Sequence, residues 1–96
     1  MTVIGLLQLE LHIPNAQSLK HKRGVIKSLK DRLRNHYNVS VAGIDYLDKW
    51  QRSTLAITMV GTDHQYLESR FESISSYVEQ EVLGKAFIAS RELVFL

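Results

Sequence analysis

The order in which the apolar period switches along the chain is its strongest constraint on fold. From Val3 to Ile13, the residues Val3, Leu7, Leu9, Leu11 and Ile13 alternate with Gln8, Glu10 and His12. That is the period of two of a strand with one buried face, although Ile4 and Leu6 blur its outer side. Pro14 and Asn15 break the strand, and Ser18 stands where a side-chain oxygen can accept the free amides of a first helical turn, so a helix is predicted from Leu19. At about 100° per residue, Leu19, Val25, Ile26, Leu29 and Leu33 share an arc of roughly 120°, wide enough for a core face. Asn35 and His36 end it, and Tyr37, Val39 and Val41 alternate with Asn38, Ser40 and Ala42 as a second strand.

The polar stretch DYLDKWQR then connects to Ser53 through Val60, where Leu55, Ile57 and Met59 alternate with Thr54, Ala56 and Thr58. This predicts a hairpin between strands two and three. Thr62 or Asp63 can cap a second helix, in which Leu67, Phe71, Ile74, Val78 and Val82 share an arc of about 80°. Gly84 punctuates its end. The last segment, AFIASRELVFL, is apolar enough on both sides to be a strand both paired and covered. Strand, helix, strand, strand, helix, strand, with no linker between them, predicts one α+β domain over residues 1–96. It is a ferredoxin-like βαββαβ sandwich, a four-stranded antiparallel sheet with two helices on one face. Its open face should carry Gln8, Glu10, His12, Asn38, Ser40, Ala42, Thr54, Ala56 and Thr58, mostly small and polar.

Composition narrows the chemistry. The chain has no cysteine, which excludes disulfides, thiol catalysis, iron–sulfur clusters and thiolate zinc sites. The amino-terminal segment has no basic region and carries Glu10 and His12 where a signal peptide would be apolar, and no stretch approaches the roughly 20 apolar residues of a membrane span. The expectation is a cytoplasmic protein without membrane attachment. Net charge is only +2, but it is unevenly distributed. Residues 18–36 hold seven of the twelve Lys and Arg and a single acid, Asp31, whereas residues 63–83 hold Asp63, Glu68, Glu72, Glu79 and Glu81 against Arg70 alone.

Three strings carry a resemblance: IPNAQSLKHKR at 13–23, YNVSVAGID at 37–45 and KWQRSTLAI at 49–57. Together they resemble the bacterial YlxP-like family, a domain of unknown function, over essentially the whole chain. The resemblance implies a compact ferredoxin-like domain, often encoded near transcription and translation factors, with no catalytic residues to carry over. Gly43 stands where the family pattern commonly has a glutamate after VSVA, so any role of that glutamate is absent from this chain.

On the first helix, Lys20, Arg23, Lys27, Lys30 and Arg34 recur at offsets of three and four and fall within about 80° beside the apolar arc. They form a basic stripe roughly 20 Å long at 1.5 Å per residue, able to follow several phosphates of a structured RNA or of the ribosome. Set against this is a solvated helix face, or one paired with the acidic second helix at no more than about 1 kcal/mol per exposed pair. Lys22 differs, projecting into the apolar arc where its stem must snorkel. Trp50, between Lys49 and Arg52, is expected to cover the edge of the core, the alternative being stacking on a base or anchoring a partner. Base stacking on the sheet itself is discounted, because IGLLQLEL and STLAITMV contain no aromatic residue.

Catalysis finds no support. HIPNAQSLK does not match the glycine-rich, arginine-bearing phosphate loop of acylphosphatases, which share the topology. His12, His21, His36 and His64 include no pair at metal-ligand i, i+4 spacing. The chain is therefore read as a non-enzymatic protein without metal or small-molecule cofactor. Its function is read as RNA or ribosome association through Lys20, Arg23, Lys27, Lys30, Arg34 and Trp50, by a homodimer whose two copies pair through the flat open sheet face or a strand edge. The alternative is a homodimeric interaction or regulatory module that binds no nucleic acid.

Overall fold

A computed structural model describes all 96 residues. The elements are β1 (Val3–His12), α1 (Leu19–His36), β2 (Ser40–Asp45), β3 (Arg52–Gly61), α2 (His64–Glu81) and β4 (Phe87–Phe95). One four-stranded sheet has the order β2-β3-β1-β4 with every neighbouring pair antiparallel, the ferredoxin-like arrangement that the period switches predict. No helix is long and apolar enough to cross a membrane.

The core lies between the sheet and the helices. On β1, Val3, Leu7, Leu9 and Leu11 point inward and meet Leu55, Ile57 and Met59 of β3; above them sit Ile26, Leu29 and Leu33 of α1 and Leu67, Phe71, Ile74 and Val78 of α2. Leu19 and Val25, on the margin of the predicted arc, are only half-buried. Gly5 is where packing is tightest, since a Cβ there would stand 2.4 Å from Cε2 of the buried Phe71 ring. The aromatic ring rests directly on the β1 backbone, and only glycine leaves the space.

Both helices start on the expected caps. Ser18 Oγ accepts the His21 amide at 3.0 Å, and an Asp63 carboxylate oxygen accepts the Tyr66 amide at 3.2 Å, so Asp63 and not Thr62 is the cap. Beyond α2, Gly84 adopts φ +83°, the left-handed conformation that punctuates helix ends.

Three expectations need correction. The second strand begins at Ser40 and not at Tyr37, because Tyr37 is spent as the α1 C-cap, its amide donating to the Leu33 carbonyl. Its ring turns to the helices, edge-on to Tyr77 and under the Arg70 guanidinium. The last strand is paired but not covered: β4 is an edge strand bonded only to β1, with Phe87 and Val94 exposed on its outer face. Finally, Asn38 precedes β2 and is not a strand residue of the open sheet face, which carries apolar surface at Ile4 opposite Val60, Leu6 opposite Val94, and Ile44 beside its mostly small and polar residues.

Candidate nucleic-acid interface

The basic stripe of α1 borders a groove of about 540 Å³ between that helix and the β2–β3 hairpin, lined by Arg23, Lys27, Lys30 and Arg34 with Lys22, Ile26, Asp31, Gly43, Leu47 and Ser53. Five of these side chains are cationic and one is acidic. Four of the five predicted stripe residues are thus brought together. Lys20 is not among them; it lines a second groove, facing α2, with Arg32 and Glu81.

Lys22 is the group whose role the sequence left open. It is 3% exposed, and its ammonium donates to the Tyr46 carbonyl at 2.6 Å, with the Leu47 carbonyl at 3.5 Å. The stem does not snorkel to water but ends on the loop between β2 and β3. No carboxylate lies within ion-pair distance, and burial pushes its pKa below the usual lysine value, the nearby Arg23 charge adding to the effect. The carbonyl it holds belongs to Tyr46, the one non-glycine residue with positive φ, at 58°. A buried cation therefore fastens a strained turn to α1 and places positive charge in the groove.

The stripe divides by what already engages it. Lys27 donates to Asp31 at 2.9 Å, and the ammonium holds the Asp31 carboxyl below the usual aspartate range. Arg34 lies 3.6 Å from the same carboxylate and donates to the Val41 carbonyl on β2 at 2.8 Å. Arg23 and Lys30 make no ion pair and no hydrogen bond to the protein. The basic stripe as a whole is not neutralised by α2, because the cross-helix ion pair is Arg32 to Glu81.

Trp50 is 51% exposed and packs against no core cluster, so the core-edge expectation fails. The reason is local: the loop crosses the end of the sheet with Gln51 tied to the chain around Pro14 (Ile13 amide to the Gln51 carbonyl, Gln51 side chain to the Pro14 carbonyl), which leaves Trp50 pointing outward. It stands on the loop that Lys22 anchors.

A further polar cluster, not anticipated from sequence, lies on the open sheet face. Glu10 accepts from Arg52 at 3.1 Å and contacts His12 Nε2 at 3.0 Å, while the Arg52 guanidinium sits 4.0 Å from the centre of the Tyr46 ring and donates to its hydroxyl. The bonds from His12 and then Arg52 lower the Glu10 pKa. The signal for this cluster was the opposed register of His12 and Arg52, visible only once strand pairing is known. No group of three or more His, Asp or Glu side chains is placed to hold a metal ion.

A family model described as Protein of unknown function (DUF503) matches residues 4–91. The chain belongs to the DUF503 family. It is 34% identical over 77 residues to the Uncharacterized protein YlxP of Bacillus subtilis (strain 168), covering 80% of this chain and 84% of that one. Among solved structures the DUF503 chain is similar to the De novo designed protein Foldit4, with a TM-score of 0.55 at 13% identity over 100% of this chain and 97% of that one. That likeness concerns the fold alone. Within the DUF503 domain described here, Gly43 lines the basic groove. A glutamate at that position would set a carboxylate among the cations.

Proposed function

We propose that this DUF503 protein binds structured RNA through its phosphates, as a cytoplasmic accessory factor of RNA or the ribosome. The observation that carries the reading is that Arg23 and Lys30 are unpaired on the wall of a groove into which Lys22 also places buried positive charge. A cation already neutralised by a neighbouring acid gains little from a phosphate, whereas an unpaired one releases a condensed counterion from the RNA when it binds. The exposed Trp50 ring offers a face on which an unpaired base can stack.

The test is binding of the purified protein to structured ribosomal RNA from about 50 to 200 mM salt, the range over which multi-phosphate contacts lose most of their affinity. Affinity should fall steeply with salt. In the Arg23→Glu, Lys30→Glu double variant it should collapse, with a thermal midpoint close to that of the parent, since Arg23 is exposed, Lys30 is half-buried without a bonded partner, and surface substitutions away from such bonds usually change stability by less than about 0.5 kcal/mol each. Gly43→Glu should weaken binding as well, because its Cβ meets only Leu47, at 3.8 Å, and the added carboxylate enters the groove. RNA binding that survives these changes, or none at the low-salt end, refutes the reading. The competing interaction-module reading rests on the exposed apolar side chains Ile4, Val60 and Val94 of the open sheet face. A micromolar homodimer together with no RNA binding would favour it.

A further inference from the structure

The two edges of the sheet are treated differently. On β2, six residues long, the Arg34 guanidinium reaches over from α1 to occupy the Val41 carbonyl, and the register is irregular between Gly43 and Asp45. Both features are ways in which sheet proteins blunt an edge. On β4, nine residues long, no side chain bonds to the backbone, and past an irregularity near Ala89 the run Ser90–Phe95 is in continuous register with β1. Its outward amides and carbonyls are free to pair.

What stands over that edge is acidic. Three contacts identify the flank of α2 that faces β4: the His64 ring against Phe95 at 4.8 Å, the Ser75 hydroxyl accepting from Arg91 Nε at 2.9 Å, and Glu72 paired with Arg91 at 3.3 Å. Glu68 lies between His64 and Glu72 in the same i, i+4 row, and Glu79 continues it beyond Ser75. Glu68 and Glu79 are exposed and make no ion pair. On the other side of β4, Phe87 and Val94 are exposed on the open face. A strand added to this edge would therefore meet Glu68 and Glu79 on its helix-side residues and, on its alternate ones, Phe87 and Val94 with the exposed carboxylate of Glu92 between them.

We propose that the β4 edge accepts an extended basic segment of a partner protein as a fifth strand, with Lys or Arg side chains facing Glu68 and Glu79 and apolar side chains facing Phe87 and Val94. Main-chain bonds supply the affinity and the alternating side chains the selectivity. A second copy fits less well, because a twofold axis at β4 brings the two acidic flanks of α2 side by side. This surface is separate from the basic groove on α1, and the inference does not rest on RNA binding.

The probe is a synthetic peptide of alternating lysine and valine, about eight residues long, within the usual span of a strand. Its partner is the same peptide N-methylated at alternate residues, which keeps the charge but cannot pair. The parent peptide should bind saturably and slow amide exchange along Ser90–Phe95, and the methylated one should bind at least about tenfold more weakly. Glu68→Gln and Glu79→Gln should each weaken the parent about two- to fivefold, as expected of exposed ion pairs. Glu72 is left intact because it holds Arg91. Equal binding of both peptides, protection mapping away from β4, no binding, or a homodimer already protecting Ser90–Phe95 in the free protein would each overturn the proposal.

Discussion

Replacing Lys22 by methionine keeps an unbranched buried stem and removes only the ammonium. The bond to Tyr46 is charged, and such bonds contribute about 1.5–3 kcal/mol. Two features reduce that figure. The Tyr46 carbonyl also accepts the Lys49 amide at 3.1 Å, so it is not orphaned when the lysine leaves, and methionine no longer carries the desolvation cost that lowers the lysine pKa. A net loss of about 1 kcal/mol follows, or about 4–8 °C in thermal midpoint for a domain of this size. The loss should be local, with amides of the β2–β3 loop exchanging faster while those of β1 and β3 keep their protection. It should also depend on pH in a definite direction. Because the folded pKa lies below 10.5, the unfolded chain holds a proton that the folded chain has released as pH rises through that window, so parental stability climbs there. The methionine variant lacks that rise, and the gap between the two widens toward pH 10.5. Calorimetry from pH 7 upward decides the matter; an unchanged or raised midpoint refutes the clamp, and a gap that narrows with pH refutes the lowered pKa.

Gly5→Ala should lower stability by about 1–3 kcal/mol in denaturant unfolding, because its Cβ cannot be accommodated without displacing the Phe71 ring in a fully packed core. Two other glycines should move in opposite directions on substitution by alanine. Gly24, inside α1 with nothing within 4 Å, should give about 0.5–1 kcal/mol of added stability, whereas Gly84, at φ +83°, should lose about 1 kcal/mol. Glu10→Gln removes an acid-range titration. The lowered Glu10 pKa contributes stability that is present above 4.5 and is lost as pH falls through the folded value, so the variant's acid unfolding curve should be flatter there.

The topology could be read in the chain because each element buries one face only, so its period survives in the sequence: two for β1 and β3, about 3.6 for the helices. The caps Ser18 and Asp63 and the punctuation at Gly84 were legible for the same reason, being local chemistry. The four groove cations Arg23, Lys27, Lys30 and Arg34 were legible as a stripe, since helical spacing alone sets them on one side. Everything that depended on what lies across from a residue was not. Helical spacing placed Lys20 in the stripe, but packing turned it toward α2. The sequence placed Lys22 in the apolar arc, and only the loop folded over it supplied the carbonyls. Trp50 was expected at the core edge until the tie between Gln51 and the Pro14 segment turned it out. The apolar content of β4 suggested a covered strand, yet strand order made it an edge, and the acidic flank of α2 came to stand over that edge. Local period and capping are written within a few neighbouring residues, whereas the partner of a side chain is chosen by elements that meet only when the sheet closes.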